Sequence, residues 1–489
     1  MARFKRFTNK QTFKEFSVAN KLNEYTAIVG SGFASLSLIK NLKSKKIIVF
    51  EKGKFFNEKN LCGLEINNLG TFALKENSLE ESIGGASNTW SGRLSEMNKE
   101  EFGTDNPDGL EIFNNLSSTF YKKAWEFFDF KNFKQIERQK NKFTERILPK
   151  QYKPLRVKKA LVVQDVEIVY ESNVLSVGED INGTFLDVNF SDSFKEKIYF
   201  KRIILANGGI KSSLILKKSY ERGFISPNKS DLILKKYMNH PKITLKNFFL
   251  FIPTNSNFFL KKRYDLNFYG YSLSNKLKKI HKLGNTYFTF HPVAHGENSL
   301  EYKCADEILR NKRKFFKVLL NSITKNNFSF SSIMKVFYYL GCRLKILNIK
   351  IKNYHLEYFC EMAPNETNKI YDNEGFITSE IKLSEDDLKN LEFLHKLLID
   401  EFPTNIRNKY KNINFRTKKF SDASHHLGGL PMNLDVKKSV IDKNLKIIES
   451  KNVYVCSSSV LQNSGSSNPT LTIVALGIRL AEHLNSLEN

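Results

Sequence analysis

Between Tyr25 and Gly53 the chain reads YTAIVGSGFASLSLIKNLKSKKIIVFEKG. A β-branched stretch from Thr26 to Val29 breaks at Gly30, an apolar helical stretch runs from Phe33 to Leu42, and a second strand pattern from Ile47 to Phe50 ends on Glu51. This βαβ pattern is the strongest constraint on the fold, because two parallel strands joined by a helix belong to an α/β sheet covered on its faces. The unit carries Gly30-x-Gly32-x-x-Ser35. In such a unit the first glycine permits a tight turn, the second lets a pyrophosphate approach the backbone, and a small third residue lets the helix pack close to the strand. Glu51 follows 21 positions after Gly30, where a carboxylate can accept hydrogen bonds from a ribose. Ser31, Phe33 and Ala34 in the turn, and Lys52 beside the acid, are therefore candidate contacts to a dinucleotide, NAD or FAD.

Later segments extend the same sheet. SLEESIGGASNTWSGRLSEM, residues 78–97, is a small-residue loop. Its Gly84, Gly85, Ser87 and Asn88 can bring donors onto a planar ring, though the composition equally suits a surface turn. Two short strands are expected in 166–177, a stretch that includes Val174, and another strand ends at Ala206-Asn207-Gly208-Gly209 before a helix. Near the C-terminus, Val453 to Cys456 reads as a strand leading into a Ser- and Gly-rich loop with Ser457 and Ser458. Asn468-Pro469-Thr470 then opens an apolar helix, with Asn468 expected as its N-cap and Pro469 as its first residue. The positive end of that helix can stabilise negative charge on a ligand.

At 489 residues the chain is long enough for two or more lobes. The expected division is a discontinuous dinucleotide-binding domain of 20–110, 155–235 and 416–489, a substrate-binding domain of 111–154 and 236–415, and a basic N-terminal extension of 1–19. The fold class is α/β: a Rossmann-like domain with a parallel sheet, plus an α+β domain with a largely antiparallel sheet. Alternating aromatic stretches at 243–252 and 285–293 read as strands of that second sheet. The basic and apolar region 308–352 can lie on a membrane or cradle a lipid-linked substrate, but the expected arrangement packs its helices on their own sheet with the lysines in water.

Composition narrows the function classes. No stretch is long and apolar enough to span a bilayer, the N-terminus lacks the pattern of a secretory signal, and the five cysteines are scattered with no CxxC pair. Neither a disulfide framework nor a metal site is expected, and the cytoplasm is the expected compartment, with the membrane surface as a peripheral option. The formal charge of +26 suits polyanions, but the lysines spread evenly and no zinc finger or helix-turn-helix pattern accompanies them, so no nucleic-acid partner is expected. Contact with an anionic membrane stays open.

SDASHHLGGLPMN, residues 421–433, completes a pattern: His425-His426-Leu427-Gly428 with Met432, then Asn468-Pro469-Thr470-Leu471-Thr472. Together with GGASNTW, ANGGI, YMNHP (237–241) and EMAPNETNKI (361–370), in this order over about residues 25–485, the chain resembles the glucose-methanol-choline (GMC) flavoprotein oxidoreductases, nearest their pyranose oxidase and sugar dehydrogenase branch. The resemblance implies a bound FAD and oxidation of an alcohol group on a sugar, polyol or related molecule. It places Gly85, Ser87, Asn88, Thr89 and Trp90 in the flavin-ring loop, Ala206 and Gly208 in a second FAD motif, and His425 and Asn468 at the two catalytic positions. Thr89 stands where some pyranose-oxidising relatives carry a histidine that tethers the flavin, which implies a non-covalent FAD.

The chemistry suits these residue types. Alcohol oxidation removes a hydroxyl proton while a hydride leaves the same carbon, and a neutral imidazole is a suitable base. His425 is the first candidate and His426 the second, with ordering of the loop as the alternative role for His426; Asn468 can hold the hydroxyl in line. His240 is expected to shape a turn before Pro241, and Trp90 to pack under the flavin loop. Gly428-Gly429-Leu430-Pro431-Met432 departs from the Gly-Thr-x-x-Met of many relatives, which leaves the substrate undefined. The electron acceptor is oxygen, a quinone or a carrier protein. Competing readings are a flavoprotein acting on a lipid-linked or isoprenoid substrate and a basic membrane- or nucleic-acid-binding scaffold with a structural flavin.

Overall fold

The computed structural model describes residues 1–55, 66–75, 78–102, 107–140, 142–149, 154–224, 227–249, 267–293, 300–310, 315–343, 353–373, 376–402, 404–432 and 435–488. The last part of the strand expected at 243–252 lies outside them.

Six parallel strands form the central sheet in the order Arg3–Lys5, Glu167–Tyr170, Ile47–Glu51, Thr26–Val29, Arg202–Leu205 and Val453–Val455. The four inner strands and the last one are almost wholly buried, as expected of a parallel sheet covered on both faces, and Phe50 meets Phe190 and Phe200 of the antiparallel strands Gly183–Phe190 and Phe194–Phe200. The helices Phe33–Asn41 and Thr470–Ser486 pack against each other, and Gly477 lies so close to Ser37 that a Cβ there would stand 2.0 Å from its Oγ. The second sheet has six antiparallel strands: Lys242–Phe249, Asn353–Phe359, Tyr287–Val293, Asn267–Leu273, Phe143–Pro149 and Glu137–Lys140. Its buried face, including Phe288, Phe290, Leu356 and Tyr358, packs on the Glu385–Ile399 helix in a core of its own.

Several expected boundaries move. Residues 1–19 are not an appendage: Arg3–Lys5 pairs with Glu167–Tyr170, and Phe7 and Phe13 are buried in the main core. Ile112, Leu116, Tyr121 and Trp125, assigned to the substrate domain, also lie in that core, with the Tyr121–Phe127 helix against Thr470–Ser486. The Lys369–Asn373 and Phe376–Glu380 hairpin pairs with Ile66–Asn68, and Ile370 and Ile377 join the same core. Apolar pattern alone marks these segments as buried without saying on which sheet. The helices of 300–343 differ as well: rather than lying on the second sheet, they bury Cys304, Ile308, Leu319, Val336 and Leu340 among themselves in a third small core.

The parallel register brings three strand ends to one edge. The amide of Gly30 donates to Phe50 O at 2.7 Å, that of Ala206 to Val29 O at 2.8 Å, and that of Cys456 to Leu205 O at 2.8 Å. Gly30 has φ +95°, and a Cβ on it would stand 2.6 Å from Asn207 Cα. Strain and clash act together, so Gly30→Ala is expected to destabilise the fold by at least about 1–2 kcal/mol, read as a lower melting temperature. An unchanged melting curve would show that this turn is not fixed by its neighbour.

Candidate active site

A cavity of about 890 Å³ opens at that edge, between the Gly30 turn and the His425 loop. Its first wall is the βαβ turn: Gly30, Ser31, Gly32, Phe33 and Ala34 line it, and the unpaired amides at the start of the Phe33–Asn41 helix belong to this wall, since Gly32 supplies no side-chain cap. Ser35 does not line it; its Oγ donates to Gly30 O at 2.6 Å and locks the turn from behind. Glu51 and Lys52 also line the cavity. The Glu51 carboxylate accepts from Ser31 N at 3.1 Å, Ser31 Oγ at 2.6 Å and Gly53 N at 2.9 Å, while burial raises its pKa above the ordinary glutamate value. A carboxylate has about four acceptor sites, so capacity remains for a ligand hydroxyl.

The same serine organises the next wall. Ser31 Oγ accepts from Gly84 N at 2.9 Å, which draws the 84–90 loop onto the turn. Gly85, Ser87, Thr89 and Trp90 face the cavity. Asn88 does not: its amide donates to Ser82 Oγ and Ile83 O, holding the loop's own shape. Trp90 packs edge-on against Phe33 and donates Nε1–H to Leu155 O at 2.9 Å, so it is a wall fixed at both ends. Val174, Ala206 and Gly208 line the far side, with Ser457 and Ser458 at the end of the last strand.

His425, His426, Asn468, Pro469 and Thr470 close the cavity. The expected helix start is corrected here. The helix begins at Thr470 with Pro469 in the capping position and no side-chain cap bond. Asn468 instead turns its side chain to His425, with Nδ2 3.2 Å from His425 Nε2. Its Oδ1 is buried and has no hydrogen-bond partner among the described residues. A buried acceptor without a partner is costly unless a ligand or water satisfies it.

The two histidines divide by their partners. His426 places Nδ1 2.7 Å from the Tyr237 hydroxyl and Nε2 3.4 Å from Ser78 O, so both ring nitrogens are held by protein groups. Ser458 Oγ donates to its carbonyl, and that carbonyl would stand 2.3 Å from a Cβ on Gly209. It is therefore an anchor of the loop. His425 keeps Nε2 toward Asn468 and the cavity. Burial, then the positive fields of His240, His426, Arg93 and Lys75, hold its pKa well below the ordinary histidine value of 6.5, which favours the neutral ring.

His240, expected only to shape a turn, proves to be part of this cluster. Its Nε2 lies 2.9 Å from Ser464 O and its Nδ1 2.8 Å from His425 Nδ1. A carbonyl only accepts, so His240 Nε2 carries the proton and its Nδ1 is a lone pair. His425 Nδ1 must then donate, which leaves Nε2 as its free lone pair, the nitrogen that Asn468 Nδ2 approaches. The residues before Pro241 gave no sign of this, because the partners, Ser464 and His425, are both remote in sequence.

An FAD fits these residues. Gly32, Gly85 and Gly208 leave open space where a Cβ would project, a cradle for a close-packed ligand, and Asn468 Oδ1 is a waiting acceptor beside the only ring nitrogen of the three histidines that faces both the cavity and the amide.

The chain is thus an α/β protein whose parallel sheet carries a buried imidazole and amide at its C-terminal edge, beside a separate antiparallel sheet. Residues 377–477, a stretch that includes His425 through Thr472, match the family model described as GMC oxidoreductase. Over 73 residues it is 36% identical to the fructose dehydrogenase large subunit of Gluconobacter japonicus, a match spanning 15% of this chain and 13% of that protein. In fold it is similar to pyridoxine 4-oxidase from Mesorbium loti (TM-score 0.55, 11% identity, 95% of this chain and 99% of the other). It is also similar in fold to a fungal aryl-alcohol oxidase (TM-score 0.54, 10% identity, 95% of this chain and 99% of the other).

The donor and acceptor chain fixes one expectation. Nitrogen-15 NMR of histidine-labelled protein at neutral pH is expected to show His425 neutral, protonated on Nδ1, with a titration midpoint below 6.5. Signals of an Nε2–H tautomer at His425, or of an imidazolium at pH 7, would contradict the assignment.

Proposed function

We propose that this protein is an FAD-dependent oxidoreductase that oxidises the CH–OH group of a sugar, polyol or related small molecule. The observation that carries the proposal is the His425–Asn468 pair opening on the same cavity as the Gly30 turn. In this reading the amides of Gly32, Phe33 and Ala34 would hold the pyrophosphate, with those of Gly30 and Ser31 fixing the turn on Phe50 and Glu51; Glu51 would take the ribose hydroxyls with Lys52 beside it, and Gly85, Ser87, Thr89 and Trp90 would flank the ring. Val174, Ala206, Gly208, Ser457, Ser458, Pro469 and Thr470 complete the enclosure. Thr89 offers no tethering group, so the FAD is held without a covalent bond.

When bound, FAD supplies the acceptor for the hydride. The chain supplies the proton chemistry. His425 Nε2 takes the hydroxyl proton, while the Asn468 amide holds the hydroxyl oxygen in line for it. His240 accepts a hydrogen bond from His425 Nδ1–H throughout, and this bond strengthens as the ring becomes cationic. The protonated His425 ring, held in a buried site of low polarity, would stabilise negative charge on a group bound beside it.

Three outcomes test this. The purified protein is expected to retain FAD, and Gly32→Ala, which meets no atom within 4 Å, is expected to lose FAD while keeping its melting temperature without ligand. Anaerobic mixing with a panel of sugars, sugar acids and polyols is expected to bleach the flavin, with His425→Ala slowed about a hundredfold or more. The bleaching rate is expected to be level above pH 6.5 and to fall toward acid, because the base must be neutral and its pKa is depressed. Reoxidation by air or by quinone then identifies the acceptor class. A protein that takes up no FAD, or bleaching that His425→Ala leaves unchanged, would contradict the assignment.

A further inference from the structure

We infer that the helices Leu300–Arg310, Phe315–Asn326 and Phe330–Arg343 form a docking element for an anionic lipid surface. These helices make a small core of their own, and burial there is satisfied by one face of each: Cys304, Ala305 and Ile308; Val318 and Leu319; Val336, Tyr339 and Leu340. The opposite faces of the second and third helices are apolar too. Phe316 is 75% exposed with Leu320 one turn on, and Phe330 is 80% exposed with Met334 and Phe337 following at helical spacing. Phe315 joins the two stripes, its ring centroid lying 5.2 Å from Phe316 and 6.3 Å from Phe337. A helix that is apolar on both faces is normally buried on both. Large apolar side chains clustered in the open mark a surface that is covered in use.

Charge selects the occupant. The two helices contain no Asp or Glu, and exposed Lys317, Lys325 and Lys335 interleave with the exposed aromatic residues. The sequence from Asn311 to Asn353 holds ten lysines and arginines and no acid. Exposed aromatic and aliphatic side chains beside cations suit an interface of acyl chains and anionic headgroups, where rings enter the boundary and lysines stay with the phosphates. A protein interface would be depleted in lysine and would pair such cations with acids. No helix among the described residues is long and apolar enough to cross a membrane, so the contact is peripheral.

The test uses the full chain with its bound cofactor and vesicles of phosphatidylcholine with or without phosphatidylglycerol. Sedimentation with the anionic vesicles is expected, weakened by added salt and absent with phosphatidylcholine alone. The double variant Phe316→Ser, Phe330→Ser is expected to bind at least about tenfold more weakly at unchanged melting temperature, since both positions are exposed. In Phe330→Trp, the emission of the introduced indole is expected to shift to shorter wavelength on adding anionic vesicles. Equal binding by the double variant, no binding by the natural chain, or no emission shift would overturn the inference. A concentration-dependent dimer dissolved by the same substitutions would overturn it in favour of an interface between copies.

Discussion

The parallel pairing of Arg202–Leu205 between Thr26–Val29 and Val453–Val455 is the constraint on which the site depends. Three stretches from the start, middle and end of the chain are hydrogen-bonded side by side in one buried layer. Because parallel strands all end at the same edge, the turns that follow them converge there: Gly30 to Ala34, Ala206 to Gly209, and Cys456 to Ser458. A ligand held by the first turn necessarily meets residues delivered by the last. The close approaches that make this possible are specific. Gly30 against Asn207 and Gly209 against the carbonyl of His426 both exclude a side chain.

Burial then shapes the chemistry. Two histidines, an arginine and a lysine around one buried imidazole resist a further positive charge, so His425 is held neutral and basic on one defined nitrogen. His426, next in sequence, has the opposite role, with both nitrogens and its carbonyl bound to the framework. Both rings line the cavity, and the pair divides by hydrogen bonding: the nitrogens of His426 are held by Tyr237 and Ser78, whereas His425 turns Nε2 to Asn468.

Much of this was legible in the sequence, and the limits have physical reasons. The βαβ turn was readable because strand, glycine turn, helix and acid are local, and Thr26–Val29 and Ile47–Glu51 form where the pattern placed them. The second lobe's antiparallel sheet followed from alternating aromatic residues. Ser35 and Asn88 sit in the right motifs but spend their polar atoms on the backbone of their own loops, a distinction that motif spacing does not encode. Asn468 has the composition of a helix cap, yet the buried imidazole competes successfully for its amide. His240 is the complementary case: a residue whose partners, Ser464 and His425, are both remote in sequence leaves no local signature. The edge strand at Arg3–Lys5 and the separate helical core of 300–343 were likewise decided by which surface happened to be adjacent.

The central claim is that a cofactor gripped by the first turn presents its reactive ring to a base from the last quarter of the chain. A crystal structure of the protein with FAD tests it most directly. The expected result has the phosphates at Gly30 to Ala34, the adenosine ribose at Glu51, and the isoalloxazine beside His425 Nε2 and the Asn468 side chain, with Asn468 Oδ1 no longer without a partner. An isoalloxazine seated away from His425, or a dinucleotide bound elsewhere on the molecule, would contradict it.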